Sequence, residues 1–122
     1  MKPLSTLFTL AITLLITACS PHPASGVWKS LEDNDYGIEI LTVSFDGRAN
    51  FTTPKLDNAE WHCFWSATGN KETELNCNPS TDPDKKEIFL LTINNQGLAE
   101  LRHNTQLIAS FTLQDKNPSS EN

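Results

Sequence analysis

The side chains with the most chemistry to offer are three cysteines, Cys19, Cys63 and Cys77, and three histidines, His22, His62 and His103. Cys63 and Cys77 flank a turn over 68–71, between runs 61–67 and 73–78 that have strand character. In an antiparallel hairpin centred on Asn70, residue 63 falls opposite residue 77, with Cβ atoms about 4.5–5.5 Å apart, within reach of a disulfide. A reactive thiol pair and a metal site compete with that reading. His62 adjoins Cys63, but consecutive strand residues face opposite sides, so the two do not converge on one ion. His22 and His103 lack the spacing of a Cys/His ligand set, and His62 reads as a surface residue. Asp82 and Asp84, with Asp57 and Glu60 elsewhere, read as carboxylates of a solvated Pro-containing loop rather than an acid/base pair, because burial would be needed to separate their protonation behaviour. No nucleophile elbow, phosphate-binding loop or zinc helix occurs in the chain. A non-catalytic protein without metal or cofactor is the expectation.

Cys19 sits in a different context. Segment 1–18 has one cation at Lys2, an apolar run over 4–16 relieved only by hydroxyl residues, and small residues at its end, the three parts of an export signal. At roughly a dozen residues the run is too short to cross about 30 Å of hydrocarbon as a helix. Conventional signal cleavage wants small residues at the last and third-last positions, yet a cut after Ala18 places Ile16 third-last and a cut after Ala24 places His22 there. The tetrapeptide Ile16-Thr17-Ala18-Cys19 resembles the lipobox of bacterial lipoproteins. That resemblance implies removal of 1–18, diacylation of the Cys19 thiol, and a domain tethered to the membrane by two or three acyl chains without spanning it. Ser20 resembles the residue that follows the lipidated cysteine in lipoproteins released to the outer membrane, which implies a domain facing the periplasm. The competing reading is a free cysteine beside an ordinary cleavage site. With Cys19 assigned to lipid, Cys63 and Cys77 are an even remainder in an oxidising compartment.

The chain has 122 residues and a formal charge of −6. Losing 1–18 removes one cation, Lys2, and takes the charge to −7 (−6 − 1). About 100 residues then remain, enough for one compact domain. The acidic balance argues against nucleic acid or anionic lipid as a partner, since both are bound through clustered Lys and Arg, and the adjacent pair Lys85-Lys86 lies in an Asp-rich loop. Residues 19–25, with Pro21 and Pro23, read as a polar linker, 26–113 as the domain, and 114–122 as a disordered tail.

Turn residues punctuate 26–113 about every ten positions, between strand-length runs of β-branched and aromatic residues. Strands are expected over 27–31, 37–45, 48–53, 61–67, 73–78, 87–93, 98–103 and 106–113, an all-β antiparallel meander. Asp46-Gly47 is the strongest hairpin signal, as a two-residue primed turn; 94–97 and Asn104-Thr105 make similar breaks. Alternation places Trp61, Cys63 and Trp65, and Leu107, Ala109, Phe111 and Leu113, on the core face. Ile38 and Ile40 are out of phase with Leu41, Val43 and Phe45, which suggests a bulge or a residue pair buried on both sides. The run Ile88-Phe89-Leu90-Leu91 is apolar on both faces, as in a sandwich core or a strand covered from outside.

Gly26-Val27-Trp28 opening the first of eight strands resembles the Gly-x-Trp entry of lipocalin-like barrels. The resemblance implies a small eight-stranded barrel whose base Trp28 closes, with Arg102 as the basic partner; a β-sandwich is the alternative architecture. The departures are short strands, no second family motif and no long helix after the barrel. An interior list of Trp28, Phe45, Phe51, Trp61, Trp65, Leu75, Phe89, Leu101 and Phe111 is bulky enough to fill a barrel of this size. His62, Phe64 and Ser66 fall on the opposite face, where Phe64 beside His62 is either a candidate partner patch or a single exposed aromatic. The functional expectation is a lipid-anchored envelope module that binds an unidentified envelope protein or serves a structural role. The alternative is a lipocalin-like carrier of a small apolar ligand.

Overall fold

The computed structural model describes residues 22–116. Eight strands follow one another in chain order: β1 (Gly26–Ser30), β2 (Ile40–Val43), β3 (Arg48–Thr53), β4 (Ala59–Gly69), β5 (Glu72–Pro79), β6 (Glu87–Ile93), β7 (Ala99–His103) and β8 (Gln106–Asp115). Each pairs antiparallel with the next, and β1 pairs with β8, so the sheet closes as a meander barrel. Closure leaves no unpaired sheet edge, which is how a small all-β chain avoids edge-to-edge association.

The inward residues run in rows across the strands. One row is Leu113, Trp28, Leu41, Phe51, Trp61 and Pro79. The next is Val43, Ala49, Cys63, Cys77 and Glu87, and a third is Trp65, Leu75, Phe89 and His103. Trp28, Phe51, Phe89, Phe111, Leu41, Leu75, Leu91 and Leu101 are fully buried. The Phe51 ring meets the Phe89 ring edge-on at 5.3 Å, and Trp61 meets Phe89 the same way at 5.4 Å. The barrel centre is therefore occupied by its own side chains. Cys63 and Cys77 are opposite each other and form the disulfide, inside the barrel and next to the small side chain of Ala49.

Four sequence expectations change. β2 is shorter than 37–45 because Asn34 holds Ile38 outside the ladder: its Oδ1 accepts from Ile38 N and its Nδ2 donates to Ile38 O, both at 2.9 Å. The turn after β2 is a three-residue loop over 45–47, with Ser44 N bonded to Arg48 O, Gly47 N to Ser44 O and Gly47 at φ 98°. This is a type I turn followed by a left-handed residue, not a two-residue primed turn. Phe45 consequently lies in the loop, 62% exposed, and not in the core. In β8 the register shifts between Leu101/Arg102, so that Leu101 faces Ala109 while Arg102 faces Leu107. The extra residue, Ile108, turns inward and Leu107 is left 47% exposed, the reverse of the simple alternation.

The ends also differ from the expected linker and tail. Ala24 and Ser25 are buried, and the Trp28 indole N–H donates to Ala24 O at 2.8 Å. Gln114 and Asp115 belong to β8. Cys19 and residues 117–122 lie outside the described residues.

Candidate functional site

The two ends of the barrel are built differently. One end collects the chain entry at His22, the turns at 44–47, 70–71 and 94–98, and the close of β8, and is called the anchor-side end because the segment expected to carry the tether precedes His22. The loop end collects the long connections 31–39, 54–58 and 80–86 and the tight turn 104–105. Of the acidic residues, Glu32, Asp33, Asp35 and Glu39 fall in the first connection, Asp57 in the second, and Asp82 and Asp84 in the third, all exposed; Lys55, Lys85 and Lys86 stand among them.

At the loop end an open groove of about 640 Å³ runs between the 31–39 connection and Pro54-Lys55, with Lys29, Asp33, Glu39 and Ile40 on its walls. Charges of both signs line it, and it lies beside the barrel rather than in it. Just inside the rim, His103 Nε2 meets Glu87 Oε1 at 2.6 Å, and the imidazole stacks on Phe89 at 4.7 Å between ring centres. Lys85 Nζ approaches the other Glu87 oxygen at 3.7 Å. This cluster was readable in principle: once β6 and β7 are paired, His103 must sit across from Phe89, one inward step from Glu87.

The three histidines do not converge. His103 is inside the loop end and His62 is on the outer wall, 3.5 Å from Glu60 Oε1 and mostly exposed. His22 is at the anchor-side end, where its Nδ1 accepts from Ala24 N at 3.1 Å and its Nε2 bonds Gly69 O at 2.8 Å. An Nε2–H tautomer satisfies both contacts. Among the described residues no group of three His, Cys, Asp or Glu side chains is placed to hold a metal ion. With both cysteines in the disulfide, the metal and free-thiol readings of that pair are set aside.

Arg102 lies on the outer face of β7, where its Nη1 donates to Glu100 Oε1 at 3.1 Å and to Thr92 Oγ1 at 3.4 Å. It does not meet Trp28 in the barrel base. Trp28 instead packs between Leu41 and Leu113 and is closed over by the 22–25 turn. Gly26 is required there, since a Cβ would stand 2.7 Å from Asp115 O and from the Leu113 side chain.

Phe64 is 69% exposed on the outer wall. Its row across the sheet reads Arg48, Phe64, Asn76 and Ile88, and Ile88 is 54% exposed. Two strand spacings, about 9.5 Å, separate Phe64 from Ile88. Ile88 and Leu90 continue into an open depression of about 320 Å³ bordered by Arg102, Asn104 and Thr105. The exposed apolar surface around Phe64 thus extends towards β6, beyond the His62 and Phe64 expected from the sequence, and the outward half of the Ile88-to-Leu91 run is uncovered among the described residues. The signal for that half was present as apolar residues on both faces of one strand, but only closure into a barrel showed which of them face out.

The chain matches no protein-family model, no curated protein and no solved structure. The fold and the outer-wall geometry define it as a filled, disulfide-containing, eight-stranded antiparallel barrel.

Proposed function

We propose that this protein is a bacterial envelope lipoprotein, held at the outer membrane by acyl chains on Cys19 and facing the periplasm. It works without catalysis, as a binding or structural module. The observation that carries the module reading over the carrier reading is the occupied interior: Phe51, Trp61 and Phe89 pack against one another at 5.3–6.0 Å between ring centres, so a small apolar ligand would have to displace core side chains. The binding surface is the outer wall of β4 to β6, with Phe64 and Ile88 as its apolar contacts and Arg48, His62 and Asn76 as polar surroundings. An exposed aromatic flanked by an arginine has the composition of an interface centre.

Two measurements test this. Intact mass spectrometry of the protein taken from its native envelope reports a diacylated Cys19 as the new terminus. A photo-crosslinking residue at position 64 then yields a discrete adduct in the envelope, while the same residue at position 31, on the loop end, does not. An unacylated product refutes the lipoprotein reading, and absence of an adduct at 64 refutes the assigned surface.

A further inference from the structure

We infer that the barrel stands on the bilayer with its anchor-side end down, and that Phe45, at the tip of the loop between β2 and β3, enters the lipid interface as a second membrane contact. The inference rests on the proposed acylation of Cys19. Only Ser20 and Pro21 separate Cys19 from His22. Three residue steps span at most about 10 Å, so wherever His22 is fixed, the membrane is close.

His22 is fixed at one end of the barrel. Its Nε2 bonds Gly69 O across 47 residues of sequence, its ring lies 5.8 Å from that of Trp65, and the turn behind it is closed by Ser25 N on His22 O. Trp65 in turn donates its indole N–H to Ser44 O at 2.7 Å, and its backbone N–H to Gly47 O at 2.9 Å. An unbroken line of contacts therefore runs from His22 through Trp65 to Ser44 and Gly47, which bracket the segment carrying Phe45. The three-residue loop that carries Phe45 shares the end of the barrel from which the acyl chains would emerge.

Phe45 is not there for the turn. The loop between β6 and β7 has the same construction, with Asn94 N bonded to Leu98 O, Gly97 N to Asn94 O and Gly97 at φ 81°. At the position equivalent to Phe45 it carries the exposed polar residue Asn95. The geometry is thus satisfied by a polar residue, and burial does not explain the aromatic, which is 62% exposed. An exposed phenyl ring next to a short lipid tether matches the chemistry of a membrane interface. The opposite end, with its acidic connections, then points away from the bilayer surface.

The test uses the acylated full chain in vesicles of zwitterionic phosphatidylcholine with brominated acyl chains, which quench indole fluorescence on contact. Phe45→Trp places a reporter at the anchor-side end; Leu31→Trp and Leu56→Trp place reporters in exposed positions of the loop end, so that one poorly folding control does not end the comparison. Against the unsubstituted protein as background, the added fluorescence of Phe45→Trp falls at least two-fold in brominated vesicles and that of the loop-end reporters is unchanged. Equal quenching at both ends, quenching at the loop end alone, or none at position 45 overturns the inference. Intact mass of the same samples separates the two failures: acylated protein with an unquenched reporter at 45 refutes the orientation alone, whereas unacylated protein refutes the lipoprotein reading and the orientation with it.

Discussion

The turns at the anchor-side end and the connections at the loop end solve the same problem with different residues. At the anchor-side end, two loops of the same type put glycine at the left-handed position, Gly47 at φ 98° and Gly97 at φ 81°. At the loop end, Gly37 (φ 76°) takes one left-handed position, but four others are held by non-glycine residues: Asp57 (φ 60°), Asn58 (φ 47°), Asn104 (φ 53°) and Thr105 (φ 67°). Asn and Asp tolerate that region, but a β-branched threonine there is strained. The loop end also holds the long connections, kept in place by side-chain clamps: Asn34 on Ile38, and Thr53 Oγ1, which accepts from the Trp61 indole at 3.0 Å and donates to Leu56 O at 2.9 Å. One end rests on glycine turns; the other rests on side-chain clamps, Asn34 and Thr53 acting within their own connections and the Trp61 indole reaching from β4 to β3.

That contrast orders the expected effects of substitution. Phe89→Ala removes the ring on which Phe51, Trp61 and His103 converge, and should lower stability by about 3–5 kcal/mol, read by chemical denaturation. The double change Cys63→Ala with Cys77→Ala should cost about 3 kcal/mol by the loop-entropy estimate, reduced because the β4–β5 turn already holds the strands together. A loss near zero would show that the hairpin alone sets the register. Asn34→Ala should cost about 2 kcal/mol, since it leaves the Ile38 amide and carbonyl without their side-chain partner. Hydrogen exchange should place the loosening in 31–39 and leave 44–47 protected. At the other end His22→Ala should cost only about 1 kcal/mol although it removes two side-chain bonds, because the one to Gly69 O is exposed and water replaces it, with exchange rising at Ala24. The smallest effect is a gain: Thr105→Gly should raise stability by somewhat under about 1 kcal/mol, because relief of the left-handed conformation outweighs the added chain entropy. Gly97→Ala should do the opposite, and equal responses at the two positions would erase the distinction between the ends.

The lipocalin-like resemblance and the barrel share strand number and closure, but the residues carrying the resemblance behave unequally. Gly26 and Trp28 are held by close backbone approach and by burial. Arg102 is on the outside because β7 alternates with Ala99 and Leu101 facing in, which puts Arg102 in the row of Glu74 and Leu90. A motif of three adjacent residues is satisfied within one strand, whereas a pairing proposed across 74 positions depends on which face a distant strand gives its residue.

By itself the sequence determined the meander, most strand boundaries and the Cys63–Cys77 pairing. Each of these follows from alternation and from turns between neighbouring strands, and short-range geometry leaves them little freedom. Tertiary structure alone decided the rest. The single extra residue in β8 exchanged the faces of Leu107 and Ile108. The three-residue loop carried Phe45 out of the core, and the Asn34 clamp cut β2 short. The bond from His22 to Gly69 turned part of an apparent linker into a fixed piece of the barrel. The physical reason is the period of two: one inserted residue reverses every side chain beyond it, and which strand absorbs the insertion is settled by packing against a partner far away in sequence.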